Sequence, residues 1–230
     1  MRLVLWDVDG TLVDSAKLGR DAFLEAFQAV VGAPAERLVP FAGRTDLEIA
    51  LDMLEAASVE RAERLLEPFG HALAEAMARR QNELCERGRA LPGAGAALEQ
   101  LQGEPGVVQS LLTGNIEPNA FLKLAAFGLE RHLDFEIGAY GSDHRERGAL
   151  VAVALAKAGR KHRVELRPED AVLVGDTPLD VLAAHEGGAR AVGVATGPYD
   201  ERALRDAGAD VVLPDLAESH TVVDAVLGRA

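Results

Sequence analysis

Cysteine is nearly absent from this 230-residue chain: Cys85 stands alone, so no intrachain disulfide can form. It falls in a helix-like run, where a buried or inert thiol is expected, because a nucleophilic cysteine needs an electropositive setting. Freedom from disulfides fits a reducing cytoplasm. Long apolar runs are missing too. The first, Leu3 to Trp6, is too short for a signal peptide, and no window approaches a membrane span of roughly 20 apolar residues. Positive charge is scarce: 24 Lys and Arg face 37 Asp and Glu, a net charge of -13. That balance disfavours nucleic acid and anionic membrane as partners, since both demand basic surface. The six histidines lack metal-ligand spacing, although His144 stands near the exit of a candidate strand. Gly193–Asp200, GVATGPYD, lacks the spacing of a dinucleotide fingerprint. Internal repeats and low-complexity segments are absent. The expectation is a cytoplasmic protein, monomer or homodimer, acting on a small molecule.

Short apolar runs are what the chain has instead. Leu3–Trp6, Val107–Leu112, Phe135–Ala139, Ala171–Val174, Ala191–Val194 and Val211–Leu213 read as buried parallel strands. Helix-like stretches separate the later ones: Pro118–Phe127, Ala149–Ala158, Leu179–Glu186 and Glu201–Ala207. Such alternation predicts an α/β fold, a Rossmann-like parallel sheet with helices on both faces. The first two strands break the rhythm, because the long stretch between Trp6 and Val107 holds no good strand. Ala22, Phe23, Ala26, Phe27 and Val30 recur at helical spacing there, as do Leu47, Ala50, Leu51 and Leu54, and so does the run from Glu60 to Glu86. The chain therefore divides into a core, residues 1–14 and 91–230, and an inserted all-helical domain, residues 15–90. The hinges are expected at Val13–Ala16 and Gly88–Gly93.

In an open parallel sheet, ligands bind beyond the carboxyl ends of the strands. Three candidate strands end there in polar groups: Asp7-Val8-Asp9-Gly10-Thr11, Thr113-Gly114-Asn115 and Gly175-Asp176-Thr177-Pro178-Leu179-Asp180. Taken singly, each reads more readily as a turn or a helix cap than as a site. Brought to one edge, the carboxylates cannot all stay ionised without a shared proton or a cation. Oxygen-only ligands with room for water and phosphate suit Mg²⁺. One carboxylate can attack phosphorus. Another, two residues on, can protonate the leaving oxygen and later take a proton from water. Gly10 permits the sharp turn that aims both side chains at the crevice. Thr113, Asn115 and N–H groups of the loop after Asp7 can bind phosphoryl oxygens.

With those motifs in place, the chain resembles the haloacid dehalogenase superfamily, most of whose members are phosphatases. DVDGTLVDS matches its first motif, LLTGN its second and VGDTPLD its fourth, while LPGAGAAL matches the return from a mobile cap to the core. The resemblance implies Asp7 as nucleophile, Asp9 as general acid/base, Thr113 as phosphoryl ligand and Mg²⁺ held by Asp7, the Asp9 carbonyl and Asp176, with Asp180 in support. Dehalogenating members carry no general acid two residues after the nucleophile, so Asp9 argues for phosphoryl transfer. FAGRTD, Phe41 to Asp46, resembles the cap loop of phosphoglycolate-phosphatase-like members, and Arg44 beside Thr45 either clamps a substrate carboxylate or serves as a charge at a helix start. The third motif's lysine is missing. In GSDHRERGALVAVALAKAG the candidates are Arg145 and Arg147, Lys157 lying too far along, and a DHxxR pattern found in some relatives selects Arg147. A small phosphorylated metabolite is the implied substrate. A sugar phosphomutase on the same scaffold, a receiver-like domain and a silent phospho-ligand binder are the alternatives.

Overall fold

Along β1 (Arg2–Trp6), Leu3 and Leu5 pack into one buried cluster, and Val4 and Trp6 into another. That alternation follows from the two-residue period of a strand and places hydrophobic layers on both sides of it. The computed structural model describes residues 1–229. Its main sheet is parallel, in the order β4 (Val107–Leu111), β1, β5 (Ala171–Gly175), β6 (Arg190–Val194), β7 (Val211–Leu213). On the Val4/Trp6 side pack α5 (Ala94–Gln102), α6 (Glu117–Ala125) and α10 (Ser219–Leu227). On the Leu3/Leu5 side pack α7 (Ala149–His162), α8 (Pro178–Glu186) and α9 (Glu201–Asp206). Polar atoms inside these layers are paired: the Trp6 indole donates to Gln109 Oε1 at 3.1 Å, and Gln109 Nε2 donates to the Leu98 carbonyl at 2.8 Å. Among the described residues, no helix is long and apolar enough to cross a membrane.

The expected strand at Phe135–Ala139 is not one. Phe135–Ile137 forms a single 3-10 turn, and Ala139 makes only an isolated parallel bridge to Leu112. The Asp134 carboxylate caps that turn by accepting from the Glu136 N–H, which diverts the backbone from the sheet. Ile137 and Ala139 are buried all the same. Apolar content reported burial there, not extension.

Two short strands that the apolar pattern did not suggest, β2 (Val13–Asp14) and β3 (Arg89–Ala90), pair antiparallel within the expected hinges. Between them lie α1 (Leu18–Val31), α2 (Asp46–Ala56), α3 (Leu66–Arg79) and α4 (Gln81–Arg87). These helices share a third buried cluster containing Phe23, Phe27, Met53, Leu54, Phe69 and Leu73. The run from Glu60 to Glu86 is not one helix. A 3-10 turn at Ala62–Leu65 precedes α3, and the chain breaks again at Arg80. Pro68 explains the first break, since proline lacks an N–H and is tolerated only in a first turn. Cys85 is exposed on α4, so of the two expected readings, buried or inert, the buried one does not hold.

Between β3 and α5 the chain turns on Gly93, whose φ of 81° is left-handed and whose Cα lies against the Leu216 backbone carbonyl. Any side chain there strains the backbone and collides with the carbonyl. Gly93→Ala is expected to cost roughly 1–3 kcal/mol from backbone strain alone, read as a lowered urea midpoint. An unchanged midpoint would contradict this packing.

Candidate active site

Three adjacent strands, β4, β1 and β5, end side by side and deliver Thr113, Asp7 and Asp176 to one edge. Backbone bonds continue the ladder into the site. The Asp7 N–H donates to the Val174 carbonyl at 2.9 Å, and the Thr113 N–H to the Ala139 carbonyl at 3.1 Å. After Asp7 the chain reverses at Gly10, whose φ is 82°. The Asp176 carboxylate packs directly on the Cα atoms of Gly10 and Gly197, and the Asp180 side chain on that of Gly175. Side chains at these glycines would expel the carboxylates from their places.

Asp7, Asp176 and Asp180 are all buried, with one oxygen of each lying within 4.8 Å of the others. Arg147, in the turn just before α7, reaches into the group. Its Nη2 lies 2.9 Å from Asp7 Oδ1 and also pairs with Asp180 Oδ1. Burial pushes the Asp7 carboxyl up to about 7; the charges of Asp180 and Asp9 add to the rise and Arg147 opposes it. Burial and the charges of Asp180 and Asp7 push Asp176 up to about 9, against a hydrogen bond from Thr11 and the charge of Arg147. Burial works against the guanidinium's charge, but Asp180 and Asp7 more than offset it, so Arg147 is held above its ordinary range. Its Nε has no partner among the described residues. Asp180 also accepts the Thr177 N–H at 2.9 Å and the Thr177 hydroxyl at 2.7 Å, closing a capping box at the start of α8. Three close carboxylates with one compensating cation form an all-oxygen donor set that fits a hard divalent cation.

Asp9 has a different environment. Its side chain is 39% exposed. The Ser15 hydroxyl donates to its Oδ1 at 2.7 Å, while Asn115 Nδ2 and Lys123 Nζ donate to its Oδ2 at 2.9 and 2.5 Å. Burial opposes its ionisation, but the charge and hydrogen bond of Lys123, aided by Asn115 and Ser15, hold the carboxyl below its ordinary range. Lys123 was not singled out by sequence. The only signal was its place eight residues after Asn115 and four after Asn119, on one face of α6.

A cleft of about 640 Å³ opens over this edge. Asp7, Asp9, Gly10, Thr113, Gly114, Asn115, Arg147 and Asp176 line it, together with Arg44, Phe23 and Phe41 from the segment between β2 and β3. Thr113 Oγ1 accepts from Asn115 Nδ2 at 2.8 Å, which leaves its own proton to donate. Other candidates are placed differently. Thr11 is fully buried and donates to Asp176 Oδ1 at 3.2 Å. Thr45 is also fully buried. It accepts from the Glu48 N–H as the cap of α2 and donates to the Arg145 carbonyl at 2.8 Å, so its hydroxyl does not meet the cleft. The Arg44 guanidinium is gripped by Glu48 Oε1 and Asp52 Oδ2, each at 2.6 Å, and its carbonyl packs on the Cα of Gly114. Arg145 is exposed, 3.6 Å from Glu63. Lys157 bonds the Gly138 carbonyl and Asp143, and His144 turns its ring to the backbone of Glu146.

Comparison with known proteins agrees with this geometry. The haloacid dehalogenase-like hydrolase family matches residues 4–185. Phosphoglycolate phosphatase of Mannheimia succiniciproducens is 27% identical over 96% of this chain and 98% of its own. Validoxylamine A 7'-phosphate phosphatase of Streptomyces hygroscopicus subsp. limoneus is 30% identical, covering 94% of this chain and 95% of its own. Among solved structures, a hydrolase from Pseudomonas syringae superposes with a TM-score of 0.68 at 25% identity, over 97% of both chains. With its parallel sheet, its aspartate at the end of the first strand and a family match across most of its length, the chain belongs to the haloacid dehalogenase-like hydrolases.

Proposed function

We propose that this enzyme is a phosphatase that hydrolyses a small phosphorylated metabolite, resembling phosphoglycolate, through a phosphoryl group carried on Asp7. The observation that supports it most is the pairing of two unlike carboxyls two residues apart. Asp7 is buried in the cluster beside Arg147, and Asp9 stands at the cleft under hydrogen bonds that fix its direction. Asp7 attacks phosphorus, forming one P–O bond as the bond to the leaving alcohol breaks. Asp9 delivers a proton to that alcohol's oxygen. In the second half Asp9 takes a proton from water as the water attacks the phosphorus, and Asp7 is released. Thr113 and Arg147 supply donors and charge to the phosphoryl oxygens. Asp7, Asp176 and the Asp9 carbonyl would hold Mg²⁺, with Asp180 in support through Arg147 and Thr177. Mg²⁺ in that place supplies neutralisation of the phosphoryl charge.

Residues 15–90 act in this reading as a cap over a core made of residues 1–14 and 91–230. The β2–β3 pair at the two crossings and the buried cluster that α1 to α4 share support this division, although Ile116 of the core also joins that cluster. Substrate choice then rests with the cap. The phosphoglycolate-like assignment is supported by the curated relative of that name and by Arg44 at the cleft wall. Releasing Arg44 from Glu48 or Asp52 would present a planar fork to a substrate carboxylate.

A panel of phosphorylated metabolites, read as phosphate release, tests the substrate class. Hydrolysis is expected to require Mg²⁺ and to stop with chelator; full activity in metal-free buffer would overturn the cation's role. Asp7→Asn should abolish turnover, and Asp9→Asn should slow it by roughly 10²–10⁴-fold, the usual worth of general acid/base catalysis. Arg147→Ala is expected to cut turnover by orders of magnitude and Arg147→Lys to recover part of it, whereas Arg145→Ala, at an exposed position, should change little. A damaging Arg145→Ala with a silent Arg147→Ala would reverse the assignment.

A further inference from the structure

Lysine is almost never fully buried, because taking an ammonium out of water costs several kcal/mol. Lys123 is nonetheless only 3% exposed, on α6 at the floor of the cleft. Its Nζ lies 2.5 Å from Asp9 Oδ2 and 2.7 Å from Asn115 Oδ1. Asn115 in turn donates through Nδ2 to Asp9 Oδ2 at 2.9 Å and to Thr113 Oγ1 at 2.8 Å. The four side chains form a connected network that ties the direction of Asp9 to the phosphoryl-binding hydroxyl. From the insertion, Gly19 on α1 faces the amine, and a β-carbon there would come within 3.1 Å of Nζ.

We infer that Lys123 is a positioning residue that orients Asp9 for proton transfer, an assignment resting on the phosphatase reading above. The two oxygens of Asp9 are held unequally. Oδ2 carries the ammonium and an amide, whereas Oδ1 carries only the Ser15 hydroxyl. A hydroxyl is a weaker tether than a charged donor, so Oδ1 is the oxygen free to meet the leaving group. Asp9 takes a proton at Oδ1 from the attacking water as the water–phosphorus bond forms and the bond to Asp7 breaks, and gives that proton to the alcohol oxygen of the next substrate as its P–O bond breaks and a new bond to Asp7 forms. Lys123 keeps Oδ2 anchored meanwhile. A purely structural ion pair accounts poorly for the arrangement. Its acidic member is more than a third exposed to the cleft, and a buried pair is commonly replaced by apolar residues without loss of stability.

The test compares two esters of similar shape, phenyl phosphate and p-nitrophenyl phosphate, in single turnovers with enzyme in excess and Mg²⁺ present. Phenolate is the poorer leaving group and depends more on a well-aimed proton donor. Lys123→Met should slow phenol release about tenfold more than nitrophenolate release. Lys123→Arg should restore part of the difference. Gly19→Ala, which keeps the lysine but crowds its amine, should shift the ratio the same way by less, and it decides the matter if Lys123→Met does not fold. Equal slowing of both esters in these variants, or no slowing of either, would overturn the role of Lys123 and leave the phosphatase reading intact. Failure of the unaltered enzyme to cleave either ester would overturn that reading and this inference with it.

Discussion

One buried guanidinium stands among three buried carboxylates, and the arrangement of the site follows from that imbalance. Arg147 pairs with Asp7 and Asp180, yet Asp176 is left facing both of its neighbours' charges. Burial itself does most to push Asp7 and Asp176 above the ordinary carboxylate range, and the neighbouring carboxylates add to the rise. A cluster of this kind calls for added positive charge. A divalent cation would supply it from one side, and the phosphoryl group would find Arg147 and Thr113 on the other.

The fold carries this strained group because the sheet fixes its backbone. Asp7 follows β1, flanked on one side by β4 with Thr113 and on the other by β5 with Asp176. Glycines at 10, 175 and 197 provide the space, each with its Cα packed on an aspartate side chain. Asp9 lies only two residues from Asp7 but under the influence of Lys123 instead of the cluster, and its carboxyl is shifted in the opposite direction.

Much of this was legible in the order of residues. Five of the six expected strands are present, and α6 to α9 start within a residue of where the periodicity put them. The carboxylates at strand ends were legible because apolar runs stop abruptly at Asp7 and just before Asp176. Long-range pairings were not legible. Phe135–Ala139 was apolar because it is buried, and nothing in its composition told a 3-10 turn from a strand. Thr45 and Thr11 offer hydroxyls of the right kind, but only coordinates show them spent on a helix cap and on Asp176. Lys123 lies 114 positions from its partner Asp9, so no local pattern could announce the pair.

The central claim is that phosphate passes through a covalent bond to Asp7. Enzyme mixed with a turned-over phosphate monoester carrying labelled phosphorus, quenched in acid and digested, measures it directly. Label on the peptide that contains Asp7, lost in Asp7→Asn, is the predicted result. Phosphate release with no label on that peptide at any time point would contradict the covalent route.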